Sequence, residues 1–188
     1  MKFKYAVLTT IVLFSLNIKA QNIFYFEFED RITLGKIENR PKITLFGEHL
    51  KEGKSIGTFF YGQTNNKWSE TYCGFYYKPF KWVGFYGGIG VETDSIPFRV
   101  AFGNTMKYEK ISFSQWYEYG GSGFWYSIAL NYRIKNQFKA GLLSKRYYGT
   151  GINVTYSFKD TPVSISNAFL YDFEFKKARD LITLRFSY

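Results

Sequence analysis

The sequence predicts an all-β chain: a closed antiparallel up-and-down transmembrane β-barrel of about 12 strands, with about 10 as the alternative. Three observations carry this. Segments of about ten residues alternate apolar and polar side chains, the period of an extended strand. Phe, Tyr and Trp make up 22% of the chain, while mean hydropathy is slightly negative at -0.24. The chain ends on "LITLRFSY", an apolar stripe of Ile182, Leu184, Phe186 and Tyr188 that finishes on a ring. Termini fray in water, where a terminal ring gains nothing, so the stripe calls for an apolar surrounding.

The first element reads as a leader. "MKFKYAVLTTIVLFSLNIKA" has Lys2 and Lys4, an apolar run from Tyr5 to Leu16, and Ala20 at a cleavage position. That order is the positive, apolar and small-residue pattern of a secretory signal peptide. An uncleaved anchor is the alternative, but the run is shorter than the ~20 residues of a membrane-spanning helix. The residue after the cleavage position is Gln21 and not a cysteine, so a lipoprotein signal is excluded. Residues 1–20 are therefore expected as signal peptide and residues 21–188 as one barrel domain.

Without the leader's Lys2, Lys4 and Lys19 the chain keeps 22 basic and 15 acidic residues, a net charge of +7. No nucleic-acid motif accompanies that charge, and an exported chain seldom meets nucleic acid. Cys73 is the one cysteine, so no intrachain disulfide can form. We read it as an inert, sheltered thiol.

Residues 23–50 are the hardest to divide. In "IFYFEFEDRITLG" the stripe of Phe24, Phe26 and Phe28 meets Asp30 before Ile32 and Leu34. A bulge, or a strand beginning outside the membrane, would account for this, and here the count of ten stays open. Later strands read more cleanly. "KISFSQWYEY", "FWYSIALNYRIK", "GINVTYSF" and "VSISNAFLYDFEF" each set a Phe/Tyr/Ile face against a Ser/Asn/Thr face, as in a barrel with a polar interior. Turns marked by Gly, Pro, Asn, Asp or clustered charge are expected at 38–41, 51–54, 64–67, 78–81, 93–97, 104–108, 120–123, 135–137, 147–151, 159–162 and 176–180.

The final eight residues resemble the C-terminal assembly signal of Gram-negative outer-membrane β-barrel proteins, whose apolar residues alternate back from a terminal aromatic. In this chain those positions are Ile182, Leu184, Phe186 and Tyr188. The resemblance implies the outer membrane as destination, with its lipids and the barrel assembly machinery as partners. It also implies that the last strand closes on the first. A soluble periplasmic β-sandwich is the competing fold. Agreement among leader, aromatic girdles and terminal stripe favours the barrel.

With Tyr188 at the periplasmic interface, the turns at 176–180, 147–151, 120–123, 93–97 and 64–67 face outward. The remaining inter-strand turns from 51–54 onward face the periplasm. Some small barrels of this kind are lipid-modifying enzymes or proteases that rely on a histidine base. The sole histidine, His49, falls beside a periplasmic turn, away from the outer leaflet where such a base would act. We expect no catalytic residue, no cofactor and no metal site.

The lumen is the remaining candidate. Its expected lining includes Trp82, Tyr86, Trp116 and Trp125, with Gly84, Gly88 and Gly90 leaving local space or marking a close strand crossing. Inward charges expected at the outer end are Glu92, Glu118, Asp172, Glu174 and Asp180, joined by Arg99 and Lys145. Lys110, Arg133, Lys139 and Arg185 are expected at the inner end, with Glu27 and Glu29 facing them. Two outcomes fit: a narrow passive channel for small solutes or ions with a cation-favouring mouth, or a salt-bridged plug. The alternatives to a channel are a non-conducting barrel, an accessory subunit of a larger membrane complex, and a lipid-modifying enzyme.

Overall fold

The computed structural model describes residues 21–33 and 41–188. The leader at 1–20 lies outside the described residues, as does most of the turn at 38–41. Twelve strands follow one another: β1 (Gln21–Thr33), β2 (Lys42–Leu50), β3 (Ile56–Asn65), β4 (Ser69–Phe80), β5 (Val83–Glu92) and β6 (Phe98–Tyr108). The second half comprises β7 (Ile111–Gly120), β8 (Gly123–Arg133), β9 (Phe138–Lys145), β10 (Gly149–Ser157), β11 (Val163–Asp172) and β12 (Lys177–Ser187). Each pairs antiparallel with its sequence neighbours, and β1 pairs with β12 to close the barrel. Closure leaves no free edge, the condition for strands in lipid, which offers no hydrogen-bond partner.

The count of twelve settles the division of residues 23–50: β1 runs unbroken through Asp30. Several turns sit a few residues from their expected places. Lys78–Phe80 belong to β4, so the turn there is Lys81–Trp82; β6 continues to Tyr108, so its turn is Glu109–Lys110; and β12 begins at Lys177. In each case the strand carries on through residues whose composition reads as a turn, in β4 by way of an irregularity between Tyr77 and Phe80. Backbone pairing outweighs local preference once both neighbouring strands are in place.

Period two sorts the side chains. Glu27 pairs in register with Arg185 and Thr44, and Phe26 with Phe186 and Leu45, so one row faces in and the next faces out. The outward rows carry Phe75, Ile89, Phe102, Leu142, Ile152 and Phe169, all more than half exposed to the surroundings. A wall this apolar is a lipid-facing surface. Cys73 is exposed on the same face, so its expected shelter comes from no part of the protein.

Inside, the packing is lopsided. Phe46, Phe59, Tyr72, Tyr76 and Tyr86 are buried in one cluster with Trp116 packed against it, filling the lumen beside β2–β7. A smaller cluster of Ala168, Leu170 and Leu181 lies between β11 and β12. Glycines make the first cluster fit. A Cβ on Gly88 would come 2.8 Å from the Phe59 ring, and one on Gly90 2.5 Å from the Tyr72 ring. A Cβ would also clash with the Thr71 backbone oxygen at Gly90 and come 2.9 Å from that of Cys73 at Gly88, so these two glycines both give room to rings and mark a close approach of β4 to β5.

The lumen as candidate functional site

Two ends of the barrel can be told apart. One carries Gln21 and Tyr188 and the turns after β2, β4, β6, β8 and β10; we call it the termini end. The other is the far end. Most ion pairs of the interior gather toward the far end, and they form three groups.

Arg99, the second residue of β6, is 1% exposed and has three carboxylates around it. Its Nη1 lies 2.9 Å from Glu92, its Nη2 3.3 Å from Glu118 and its Nε 3.6 Å from Glu70. Its Nε also donates to Tyr72 Oη at 2.6 Å, and Nη1 donates to Ser122 Oγ. Trp116 Nε1 donates to Glu118 at 2.6 Å, and Trp68 Nε1 donates to Glu92 at 3.0 Å. Glu92 ends β5 and Arg99 nearly begins β6, so the short connection at 93–97 brings them together. Glu70 and Glu118 arrive at the same height from β4 and β7.

The second group crosses the barrel. Glu29 of β1 accepts from Lys42 of β2 at 2.9 Å and from Lys145 of β9 at 2.5 Å. Tyr148, in the turn after β9, lies under three cations, with Arg31, Lys42 and Lys145 at 4.9, 6.0 and 5.7 Å from its ring centre. The third group is Asp172 with Arg179 at 2.5 Å, where Asp172 also accepts the backbone N–H groups of Glu174 and Phe175.

The termini end differs in sign. Arg185 pairs with Glu27 at 2.5 Å and lies over the Tyr25 ring. Lys139 faces Arg133, Lys107 and Arg185, of which Arg185 is paired with Glu27, and Glu48 lies within electrostatic reach of Lys107. Arg133 and Lys107 are exposed and Lys139 is partly so. Along β8–β10 the inward positions from Trp125 to Asn131, from Lys139 to Lys145 and from Gly149 to Ser157 all stay partly accessible. Those facing in from β2–β6 are mostly buried. Any passage through the barrel therefore runs along β8–β10, past Ser127, Asn131, Asn153 and Thr155.

Of the lumen charges read from sequence, Glu92, Arg99 and Glu118 come together, as do Asp172 with its neighbour Arg179, and Arg133, Lys139 and Arg185. Lys145 joins Glu29, which had been expected to face the inner bases. Lys110 and Glu174 lie in turns outside the wall. Asp180 was read as inward, but its register partners Ile32 and Phe169 face lipid, and so does Asp180. Trp82 leaves the lumen as well: it sits in the turn after β4, stacked on Phe80 at 5.6 Å. Sequence reasoning missed Glu70, Lys42 and Arg179. For Glu70 and Lys42 the signal was alternation in β4 and β2, with Tyr72 and Phe46 on the same inward rows.

No protein-family model matches the chain, and no curated protein is similar to it in sequence. Solved structures are similar to it in shape. A KdgM porin in complex with disordered oligogalacturonate matches with a TM-score of 0.60 at 12% identity, over 88% of this chain and 99% of that one. A second KdgM porin structure gives 0.55 at 13% identity, over 87% and 99%. A NanC porin gives 0.53 at 13% identity, over 86% and 98%. At such identities the likeness is one of fold. Taken with the closed ladder and the apolar outer wall, it makes this chain, by fold, a small outer-membrane β-barrel.

Proposed function

We propose that the barrel is a narrow passive channel for small solutes in the outer membrane, and that it favours anions. The observation that carries this is the solvent-accessible lane along β8–β10. Toward the termini end it passes Arg133, Lys139 and Lys107, for which no carboxylate lies within ion-pair distance among the described residues. A lane with cations of one sign and low-dielectric walls concentrates the opposite ion. The acidic mouth expected from sequence would favour cations instead. Its carboxylates Glu92, Glu118 and Asp172 are buried against Arg99 and Arg179, out of the accessible lane. A KdgM porin has been solved with oligogalacturonate, a carboxylate-bearing saccharide, and this is consistent with an anionic solute for a barrel of this fold.

On this reading the leader directs export, the terminal stripe engages the assembly machinery, and no catalytic group is needed. His49 lies at the termini end of β2, on the outward row with Thr58. It therefore does not reach the lumen as a base. A non-conducting structural barrel, alone or as an accessory subunit, is the second reading, favoured by the ion pairs that tie the far end together.

Planar-bilayer recording of purified protein under a salt gradient tests the proposal. Wild type is expected to conduct steadily with an anion-selective reversal potential, and Arg133→Gln with Lys139→Gln to lose most of that selectivity. A silent wild type would instead establish the structural reading. Cation selectivity unaffected by those changes would assign the lane to the carboxylates.

A further inference from the structure

The five turns at the termini end share a pattern that the lumen does not explain. Each exposes lysine: Lys51 and Lys54 after β2, Lys81 after β4, Lys110 after β6, Lys135 after β8 and Lys159 after β10. In each turn an exposed apolar side chain stands within two residues of a lysine. Phe80 and Trp82 flank Lys81, Ile111 follows Lys110, Ile134 precedes Lys135, Phe158 precedes Lys159, and Ile56 lies two residues beyond Lys54. Glu52, Glu109 and Asp160 offset these charges only in part. The one ion pair among them, Lys159 with Asp160, is at 4.0 Å with both side chains more than three-quarters exposed. At the far end the pattern is broken: exposed Lys176 stands beside exposed Phe175 after β11, and exposed Lys67 beside the half-buried Trp68 after β3, but the other described turns do not repeat it. Those at 93–97 and 121–122 have no cation, and Arg146 is turned onto the Phe124 and Tyr147 rings.

An apolar side chain beside an ammonium group, repeated around a barrel rim, matches the membrane boundary. The apolar member enters the acyl region while the lysine reaches up to the phosphates. Spacing around the whole perimeter, with each lysine beside a lipid-facing side chain, separates this ring from the cations of the lumen. We propose that the termini-end turns form a collar that binds the headgroups of anionic phospholipids and so fixes the depth and direction of the barrel in the bilayer. Each lysine near an anionic surface contributes about fivefold to association.

The proposal rests on the membrane-barrel reading but not on conduction, and a silent barrel would leave it intact. The test reconstitutes the full chain into phosphatidylcholine vesicles with and without phosphatidylglycerol of the same acyl chains. Phosphatidylglycerol is expected to raise the urea midpoint of wild type and to be retained over phosphatidylcholine when the detergent-extracted protein is examined by native mass spectrometry. Both effects should fade in 1 M salt, where the screening length is ~3 Å. That arm needs no variant. In a chain with Lys54→Gln, Lys81→Gln, Lys110→Gln, Lys135→Gln and Lys159→Gln, both effects should be largely lost. No phosphatidylglycerol effect on wild type, or one that persists in high salt, overturns the collar. So does a variant that keeps the lipid effect and loses only anion conductance, which would make the lysines a funnel for solutes.

Discussion

Lys145 of β9 meets Glu29 of β1 at 2.5 Å although β12, β11 and β10 separate the two strands around the wall. The bond therefore spans the lumen. It sits at the far end, where Lys42 and the Tyr148 ring complete the crossing, and Glu29 itself is 3% exposed. An ion pair in this position does two things: it ties together parts of the wall that are four strands apart, and it narrows whatever passes between them.

Glu29→Gln should accordingly weaken the barrel and widen the far end together. Breaking one side of a buried pair costs about 3–5 kcal/mol, and water in the lumen brings the expected loss toward the lower figure. Urea unfolding in vesicles measures the first effect, and single-channel amplitude the second. A stability loss with unchanged amplitude would show that the crossing is a brace and not a constriction.

Arg99 should be the least replaceable residue of the interior. Arg99→Met leaves Glu70, Glu92 and Glu118 without their common cation, and the loss should exceed that from Glu118→Gln, which leaves Arg99 two carboxylates. We expect more than about 3 kcal/mol for the first change and about 1–2 kcal/mol for the second. The temperature at which the unboiled protein loses its fast gel migration ranks the two variants. Equal losses would mean that the three carboxylates do not depend on Arg99 as a group.

Asp30 and Asp180 face lipid on the adjoining strands β1 and β12. Asn167 donates to Asp180 at 2.7 Å, while Oδ1 of Asp30 is shielded and has no hydrogen bond. Carboxylates on a lipid face are unfavourable in proportion to depth. Asp30→Leu with Asp180→Leu should therefore raise stability in vesicles, by up to about 2 kcal/mol. A decrease in the urea midpoint would contradict this and point to a contact that the two acids make in the membrane.

Phe186 and Tyr188 join the closing strand to the first. Tyr188 exchanges backbone hydrogen bonds with Phe24 at 2.8 and 3.1 Å, and the Phe186 ring lies 6.4 Å from that of Phe26. Replacing both with Ser removes two rings of lipid-facing surface, each worth ~1.5–3 kcal/mol. The variant should accumulate as unfolded, degraded chain with little heat-modifiable barrel in membrane fractions. Wild-type amounts of folded barrel would make the stripe dispensable for assembly.

Much of this molecule was readable along the chain because a barrel wall is locally encoded. Inward and outward rows follow from alternation alone, so the outward Phe, Ile and Tyr positions and the inward Ser, Asn and Thr positions of β8 and β10 were legible one strand at a time. The terminal stripe fixed which face of β12 meets lipid by the same rule. Strand limits were less legible, since Lys78–Phe80, Asn104–Tyr108 and Lys177–Asp180 look like turns and are held in ladders by their neighbours. That shift is also why Lys110 fell into a turn.

What only the tertiary structure decided is which inward side chains meet. Alternation says that Glu29 and Lys145 both point inward, but their meeting depends on how twelve strands close and how far each is staggered against the next. The same closure gathers Glu70, Glu92 and Glu118 on Arg99, and it lets the rings of β2–β7 fill one side of the lumen while β8–β10 stay open on the other. A sequence carries the direction of each side chain because the pleat is a property of single residues. The contacts across a lumen belong to the closed sheet, whose strands contribute from positions more than a hundred residues apart.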